Sequence, residues 1–250
     1  MNRVKLQYVL QLADNAMILG QQLGELCGHG PVLEQDIALT NISLDLIGEA
    51  RILYQYAAEI DGNGKTEDDY PYKRDVLDWR NLLLVEQPNG HFGHTIVRQF
   101  MFDCYHYYHL REMSISSDQR LSEIAKKTLK EATYHLKYSS EWIIRLGDGT
   151  SESHQKMKEA LSDRITYFDE AFIPSKIEKE ESLFGIAVDC EKIKSQAWNK
   201  FKSVCEQATL TIPTVEYPQK GGKDGLHTEH FGFILSDLQF IQRAYPNSNW

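Results

Sequence analysis

The sequence predicts an all-α fold built on long helices, and two observations support that prediction. Apolar residues recur at helical spacing over segments much longer than the roughly 11–12 residues of an average globular helix. No stretch of the sequence alternates apolar and polar residues between regularly spaced turns, as the strands of a sheet would. The chain has 250 residues, 42% of them hydrophobic, so it can bury a sizeable core, and we expect one domain spanning 1–250.

Helix boundaries are predicted where the apolar repeat meets a stop or a cap. Gly28 and Pro31 end the first helix, Ser117 and Asp118 offer a cap for the fourth helix, and Gly147 ends it. The segments predicted as helices are 3–27, 32–60, 92–114, 119–146, 151–172, 189–208 and 228–244. We expect the first four to form a four-helix bundle core and the later three to pack outside it.

Composition and charge exclude several classes of function. The formal net charge is -9 and the pI is near 5.5, whereas nucleic acids and anionic membranes require a basic face, so we expect neither as a partner. No apolar run reaches the about 20 residues of a membrane-spanning helix, and no secretory signal pattern begins the sequence, so the expected location is the cytoplasm. The four cysteines form no C-x-x-C pair and are predicted to be buried free thiols.

The fourth helix carries two titratable side chains on an apolar face. Glu131 and His135 lie one helical turn apart, on the same side as Ile124 and Tyr138. Both are therefore predicted to point inward. Since a buried carboxylate needs a partner, another part of the chain must supply charge, hydrogen bonds or a metal ion.

Each of the other long helices also carries an acid on an apolar face. The candidates are Glu25 or Asp14 on the first helix, Asp45 and Glu49 on the second, and Asp103 on the third. This pattern is typical of the ferritin-like bundle, which holds two metal ions between glutamates and Glu-x-x-His motifs.

The spacing departs from that metal-binding pattern in two places. The third residue after Asp45 is Gly48, so one histidine is missing, and the third residue after Glu131 is Tyr134, with the histidine one position later. Three interpretations remain open: a vestigial site in which the acids and His135 neutralise one another, a working two-metal site, and acids that are simply hydrated. The first interpretation predicts no metal in this chain.

Two further segments are candidates for contact with a partner or with a phosphate-bearing ligand. One combines two lysines with a flexible glycine backbone that suits a phosphate, and it equally suits a solvated loop. The other, at the start of the second helix, offers free backbone amides, although its own acids oppose an anion. The residues concerned are Lys220, Gly221, Gly222 and Lys223 in the first segment and Glu34, Gln35, Asp36 and Ile37 in the second.

Four blocks of the sequence resemble one protein family. They are CGHGPVLEQDIALTNISLDLIGEAR (Cys27 to Arg51), NLLLVEQPNGHF (Asn81 to Phe92), KEATYHLKYS (Lys130 to Ser139) and GGKDGLHTEHFG (Gly221 to Gly232). The resemblance is to the C subunits of bacterial 1,2-phenylacetyl-CoA epoxidases, and it extends over nearly the whole chain.

The resemblance implies a ferritin-like helical protein with no catalytic residues of its own. It implies a homologous catalytic subunit as partner, which carries the di-iron centre and epoxidises the ring of phenylacetyl-CoA with oxygen and reductase-supplied electrons. The missing histidine at Gly48 and the displaced His135 agree with that role. We therefore expect a structural subunit of the epoxidase complex in aerobic phenylacetate catabolism, which binds further oxygenase components and self-associates when alone.

Two other functions are open alternatives at this point. One is a self-sufficient di-metal carboxylate oxidase or hydroxylase with its own metal site in the bundle. The other is a ligand-binding bundle without a redox partner. Metal content distinguishes the first from a structural subunit, and capture of a homologous ferritin-like subunit distinguishes the second.

Overall fold

The computed structural model describes residues 2–246 and residue 248, and regular structure in this part of the chain is helical throughout, which confirms the all-α prediction. The α-helices are α1 (Asn2–Gly24), α2 (Leu33–Asp61), α3 (Asp69–Lys73), α4 (Phe92–Met113), α5 (Gln119–Gly147), α6 (Ser151–Arg164), α7 (Lys176–Ser182), α8 (Cys190–Gln207) and α9 (Phe231–Ala244). Short 3-10 turns lie at 76–78, 83–86, 165–167, 169–172 and 222–224. No helix of the described residues is long and apolar enough to cross a membrane.

The predicted boundaries of α2, α4 and α5 agree with the structure to within a few residues. The helix predicted over 151–172 ends instead at Arg164, and two 3-10 turns complete that segment. Arg164 is buried there and donates to the carbonyl oxygen of Pro88 at 3.1 Å, which fixes the chain where the α-helix stops. The short helices α3 and α7 have too few residues to show a periodic apolar pattern.

The first helix ends at Gly24, before the predicted residue 27, and the reason lies in α2. The Asp36 carboxylate accepts hydrogen bonds from the backbone amides of Gly28, at 2.9 and 3.1 Å, and of Gly30, at 3.2 Å. These bonds hold the chain in a turn. Glu25 is therefore exposed rather than buried, which corrects the expectation for that acid. Cys27 is exposed as well, whereas the other three cysteines are buried as predicted.

The described residues divide into two compact units. Unit 1 comprises residues 2–86 and the C-terminal residues from 221 onward, and unit 2 comprises residues 87–220. Helices α1, α2, α3 and α9 belong to unit 1, and α4 to α8 belong to unit 2. The single domain over 1–250 stays a prediction, and its end residues Met1 and Trp250 lie outside the described residues.

Unit 1 is built on close packing of α1 against α2. At Gly20 a Cβ atom would lie 2.9 Å from the Ile47 side chain, so only glycine permits this approach, and the Ser43 hydroxyl donates to the Gly20 carbonyl oxygen at 2.7 Å. Trp79 is fully buried and meets the Phe231 ring of α9 edge to face at 5.8 Å. The C-terminal helix is thus part of the same core as the N-terminal pair.

Unit 2 is built around α4. This helix is buried on nearly all sides because α5, α6 and α8 pack against it. Its Phe100 ring stacks on Phe201 of α8 at 5.5 Å, and Phe168 lies 4.9 Å from Phe201. The aromatic residues that the sequence concentrates on this helix therefore form the core of the unit.

Candidate functional site

The buried carboxylate of Asp103 on α4 is the centre of a polar cluster in unit 2. Gln99 and Ser139 each donate a hydrogen bond to it at 2.7 Å. Burial raises the pKa of Asp103 above its usual range, although the charges of His135 and His106 and both hydrogen bonds oppose the shift. Asp103 can therefore keep a proton to a higher pH than an exposed aspartate does, while Gln99 and Ser139 remain its hydrogen-bond partners.

The face predicted for α5 is confirmed in its orientation. Ile124 and His135 are buried, Tyr138 is 9% exposed, and Glu131 is half-buried. Glu131 and His135 thus share a side of the helix, but the imidazole lies deeper than the carboxylate. A longer side chain on the edge of the buried face can keep its charged end near water.

On α2 the two acids differ in depth. Glu49 is 5% exposed and belongs to the buried face, whereas Asp45 is half-buried. Gly48, the position of the missing histidine, is exposed, and a Cβ atom there would meet no described atom within 4 Å. A histidine at position 48 would therefore lie on the outer face of this helix and not beside Glu49.

The six residues proposed as a vestigial metal site fall into both units. Glu25, Asp45 and Glu49 belong to unit 1, and Asp103, Glu131 and His135 belong to unit 2. Among residues 2–246 and 248, no group of three or more His, Cys, Asp or Glu side chains is arranged to hold a metal ion. The assignment of these six residues to one polar network stays a prediction.

Asp14, the alternative acid on the first helix, is fully buried, and it forms an ion pair with a residue that the sequence did not single out. Arg74 donates to both of its carboxylate oxygens, one of them at 3.1 Å. Tyr54 donates at 2.9 Å and the backbone amide of Arg80 at 3.0 Å. Burial lowers the pKa of Arg74, but the charge of Asp14, its hydrogen bond and the charges of Tyr54 and Asp78 together outweigh that effect, so the pKa is raised and the guanidinium stays charged. The Arg74 guanidinium also lies 4.4 Å from the centre of the Trp79 ring.

A second buried pair joins two of the blocks that carry the family resemblance. Glu86 is fully buried, and its Oε1 atom lies 2.6 Å from Nδ1 of His227 and accepts from the Asn81 amide at 2.8 Å. Its Oε2 atom accepts from the backbone amide and the hydroxyl of Thr228, at 2.8 and 2.7 Å. The His227 ring stacks on Phe231 at 4.0 Å. The sequence analysis did not identify this network. Glu86 ends the apolar run LLLVE, and a single acid beside such a run indicates a buried carboxylate that needs partners.

The glycine-rich loop packs closely on the backbone at Asn81, and only one of its two lysines is exposed. A Cβ atom at Gly222 would lie 2.2 Å from the carbonyl oxygen of Asn81, so the backbones are in contact there. Lys223 is only 4% exposed, whereas Lys220 is exposed. The loop turns at Gly221 and Gly225, where φ is 124° and 85°. The geometry suits a structural anchor better than a phosphate site, because only one of the two cations is accessible.

The start of α2 is also used internally. Asp36 is engaged by the turn that precedes it, as described above, and Gln35 is half-buried. Glu34 is exposed and Ile37 is 51% exposed. Of these four candidates, Glu34 and Ile37 are therefore the residues that an external partner can reach.

Comparison with known proteins settles the family. The sequence profile of the family described as phenylacetic acid catabolic protein matches residues 1–250. The chain belongs to the phenylacetic acid catabolic protein family. It is 45% identical over 245 residues to the C subunit of the 1,2-phenylacetyl-CoA epoxidase of Escherichia coli (strain K12), and the match covers 97% of this chain and 98% of that relative. The resemblance read from four sequence blocks is thereby confirmed.

Membership of the phenylacetic acid catabolic protein family agrees with the structure described above. The fold class is an all-α, ferritin-like helical bundle with additional C-terminal helices, as the sequence predicts. All four resemblance blocks supply a buried or structural polar contact: Asp36 in the first, Glu86 in the second, Ser139 in the third and His227 in the last. These contacts connect segments of this chain that are distant in sequence.

Proposed function

We propose that this chain is a non-catalytic structural subunit of a phenylacetyl-CoA 1,2-epoxidase complex in aerobic phenylacetate catabolism. Its role is to support a homologous catalytic subunit, and the di-iron centre belongs to that partner. The observation that carries the proposal is the identity of 45% to the C subunit of such an epoxidase over almost the full length of both chains. A cytoplasmic location follows from the proposal, since coenzyme A esters and reductase-supplied electrons are used there.

The chemistry of the buried acids supports a non-catalytic role. Asp14 is neutralised by Arg74, and Glu86 is held by His227 and Thr228. Asp103 is engaged by two hydrogen bonds from neutral side chains. A two-metal oxygenase site needs several carboxylates and imidazoles aimed at common points. Carboxylates that are already committed to internal partners serve the fold instead.

We propose no metal or cofactor in this chain. A histidine at position 48 would lie on the exposed face of α2, so α2 cannot supply a Glu-x-x-His pair through Asp45. The alternative function, a self-sufficient di-metal oxidase, would require Asp103, Glu131 and His135 to act as ligands. The hydrogen bonds that Asp103 accepts from Gln99 and Ser139 oppose that use, because both of its carboxylate oxygens already have partners.

Contact with the substrate is a weaker part of the proposal. Lys220 is the accessible cation of the glycine-rich segment and is the residue that would meet a coenzyme A phosphate, whereas the buried Lys223 would act only by shaping the loop. Replacement of Lys220 by Glu should weaken binding of phenylacetyl-CoA to the assembled complex. Unchanged binding at low salt would remove this contact and leave the structural role intact.

Reconstitution tests the proposed function. The catalytic subunit, the reductase and the remaining oxygenase components are assayed for epoxidation of phenylacetyl-CoA with and without this chain. We expect activity only when the chain is present, together with co-elution of the chain and the catalytic subunit on a sizing column. Full activity without the chain, or failure of the two subunits to associate, would contradict the proposal.

A further inference from the structure

A small cavity lies in unit 2 where α4 and α6 begin, beside the end of α5. Its volume is about 300 Å³, and its walls are mainly apolar. They include Phe92 at the start of α4, Leu146 near the end of α5 and the buried Met157 of α6. A cavity of about 150 Å³ is enough to bind benzene. This cavity therefore has room for a benzene ring that carries a substituent.

The walls of the cavity favour an aromatic ligand. The Phe92 ring meets Trp142 edge to face at 5.4 Å, and aromatic rings and thioether sulfur both make favourable contacts with a further ring. Glycine at position 93 keeps the space open. A Cβ atom there would lie 2.9 Å from the His91 ring and 3.2 Å from the sulfur of Met157. A flat ring that packs against Phe92 and Met157 therefore fits the cavity.

His91 supplies the cavity with a hydrogen-bond donor. Its Nδ1 atom accepts from the backbone amide of Gly93 at 3.1 Å, so that nitrogen carries no proton. A neutral imidazole then has its proton on Nε2. This Nε2 atom is buried and has no hydrogen-bond partner in the part of the chain that the structure describes. Since a buried donor without an acceptor is costly, a ligand that offers an acceptor oxygen here gains affinity.

The other polar side chains that line the cavity are engaged with one another. Thr150 caps α6 by accepting from the Ser153 amide at 3.2 Å, and the Ser153 hydroxyl donates to the Thr150 carbonyl oxygen at 3.0 Å. Lys156 pairs with Glu152 at 2.6 Å, and both of these side chains are more than half exposed. The donor that is left for a ligand is therefore Nε2 of His91.

The charges near His91 favour an uncharged ligand. Burial and the charges of His94 and Lys156 lower the pKa of His91, while the charges of Glu159 and Asp163 act in the opposite direction. The net result is a lowered pKa, so the imidazole is neutral at pH 7. A neutral donor gives an anion no charge to pair with, and the two carboxylates oppose a further negative charge near the ring.

We propose that this cavity binds a small, uncharged aromatic molecule with one acceptor oxygen, such as an aromatic alcohol or aldehyde. The ring packs against Phe92 and Met157, and the oxygen accepts from Nε2 of His91. The inference goes beyond the proposed function, because the site lies within this chain and its occupancy requires no catalytic subunit.

Methionine methyl resonances report on binding at the cavity itself. The full chain is isotopically labelled in its methionine methyl groups and titrated with benzyl alcohol, toluene and sodium benzoate, and Met157→Leu assigns the resonance of Met157. We expect benzyl alcohol to shift that resonance and to leave those of Met101 and Met113, which are buried further along α4, unchanged. Toluene lacks the acceptor oxygen and benzoate is charged, so each should bind about fivefold more weakly or worse, which is the contribution of one neutral hydrogen bond.

His91→Asn tests the hydrogen bond separately from the cavity. An asparagine oxygen can accept from the Gly93 amide and cap α4 as His91 does, but the shorter side chain ends before the position of Nε2. We expect binding of benzyl alcohol to weaken about fivefold and binding of toluene to stay the same. His29→Asn, at an exposed position, is the matched control and should bind both molecules as the wild type does.

Leu146→Trp tests the cavity separately from the hydrogen bond. The larger side chain should fill the space and abolish binding of both molecules, while circular dichroism checks that the variant is folded. A wild-type Met157 resonance that benzyl alcohol does not shift would overturn the proposal. So would an equal response of the two molecules to His91→Asn, unchanged binding to folded Leu146→Trp, or benzoate binding as tight as that of benzyl alcohol. The proposed function would stand in each of these cases.

Discussion

The Nδ1 atom of His227 lies 2.6 Å from the Oε1 atom of Glu86, although 141 residues separate the two in sequence. The His227 side chain is 4% exposed and the Glu86 side chain is fully buried. Because Thr228 occupies the other carboxylate oxygen, this one glutamate fastens the segment that leads into α9 to the 83–86 turn. The contact therefore joins the two chain segments that make up unit 1, residues 2–86 and the residues from 221 onward.

Removal of the Glu86 carboxylate should destabilise the fold strongly. We expect Glu86→Ala to lower the free energy of unfolding by about 3–5 kcal/mol, because it leaves buried donors of Asn81, His227 and Thr228 without their acceptor. Urea denaturation followed by circular dichroism measures the change. Glu191→Ala, at an exposed position of α8, is the control and should have little effect. A loss below about 1 kcal/mol for Glu86→Ala would mean that water replaces the carboxylate.

The Asp14–Arg74 pair should show the behaviour of a buried ion pair. Arg74→Met leaves the fully buried Asp14 carboxylate without its cation, so we expect a loss of about 3–5 kcal/mol in the free energy of unfolding. The double variant Asp14→Leu, Arg74→Met should lose less, since it removes both charges. A double-mutant cycle by urea denaturation measures the coupling. Additive losses would show that the two charges do not stabilise each other.

Asp103 should make stability depend on pH in a direction opposite to that of an ordinary salt-bridged acid. Burial raises its pKa above the usual value of 3.8, so the folded protein holds this proton to a higher pH than the unfolded chain does. The stability it contributes is present below the unfolded pKa and is lost as pH rises through the folded pKa. Asp103→Asn keeps a neutral side chain and avoids that loss.

We therefore expect the stability of Asp103→Asn, relative to the wild type, to rise as the pH increases upward from 3.8 and then to level off. Urea denaturation of both proteins across this range measures the difference. Asp237→Asn, at an exposed position of α9, is the control for a general charge effect. A relative stability that falls with rising pH would show that Asp103 is an ionised partner of His135 instead.

Two glycines should respond oppositely to the same substitution. Gly222→Ala forces a Cβ atom to within 2.2 Å of the Asn81 carbonyl oxygen, so the backbones must separate, and we expect a loss of about 1–3 kcal/mol or more. Gly48→Ala adds a methyl group in open space on α2 and should stabilise the monomer by about 0.5–1 kcal/mol. Thermal unfolding at low protein concentration measures both changes. Equal effects at the two sites would contradict the packing described for the glycine-rich loop.

Much of the secondary structure could be predicted because its signals are local. Asp118 accepts from the Leu121 amide at 3.0 Å as an N-cap, and α5 ends at Gly147 within one residue of its predicted limit. The inward orientation of His135 also followed from spacing alone. These features depend on residues within a few positions of one another, which is the range over which sequence patterns are informative.

The contacts that hold the site could not be predicted because their partners are distant in sequence. Nothing near Asp14 indicates that Arg74, 60 residues later, neutralises it. Glu25 appeared to continue the apolar face of the first helix, but Asp36 reaches back and ends that helix early. Lys223 lies in a polar, glycine-rich segment and was therefore expected at the surface. It is buried because its loop packs closely against the backbone of Asn81.

Iron content and activity of the isolated chain decide whether it is a structural or a catalytic subunit. The chain is expressed in iron-sufficient medium, purified without its partners, and analysed for iron by mass spectrometry and for conversion of phenylacetyl-CoA with an electron donor and oxygen. We expect iron far below one equivalent per chain and no conversion, with epoxidation appearing only after the catalytic subunit and reductase are added. A chain that carries close to two irons and converts phenylacetyl-CoA alone would contradict the structural role, and Asp103, Glu131 and His135 would then have to be metal ligands.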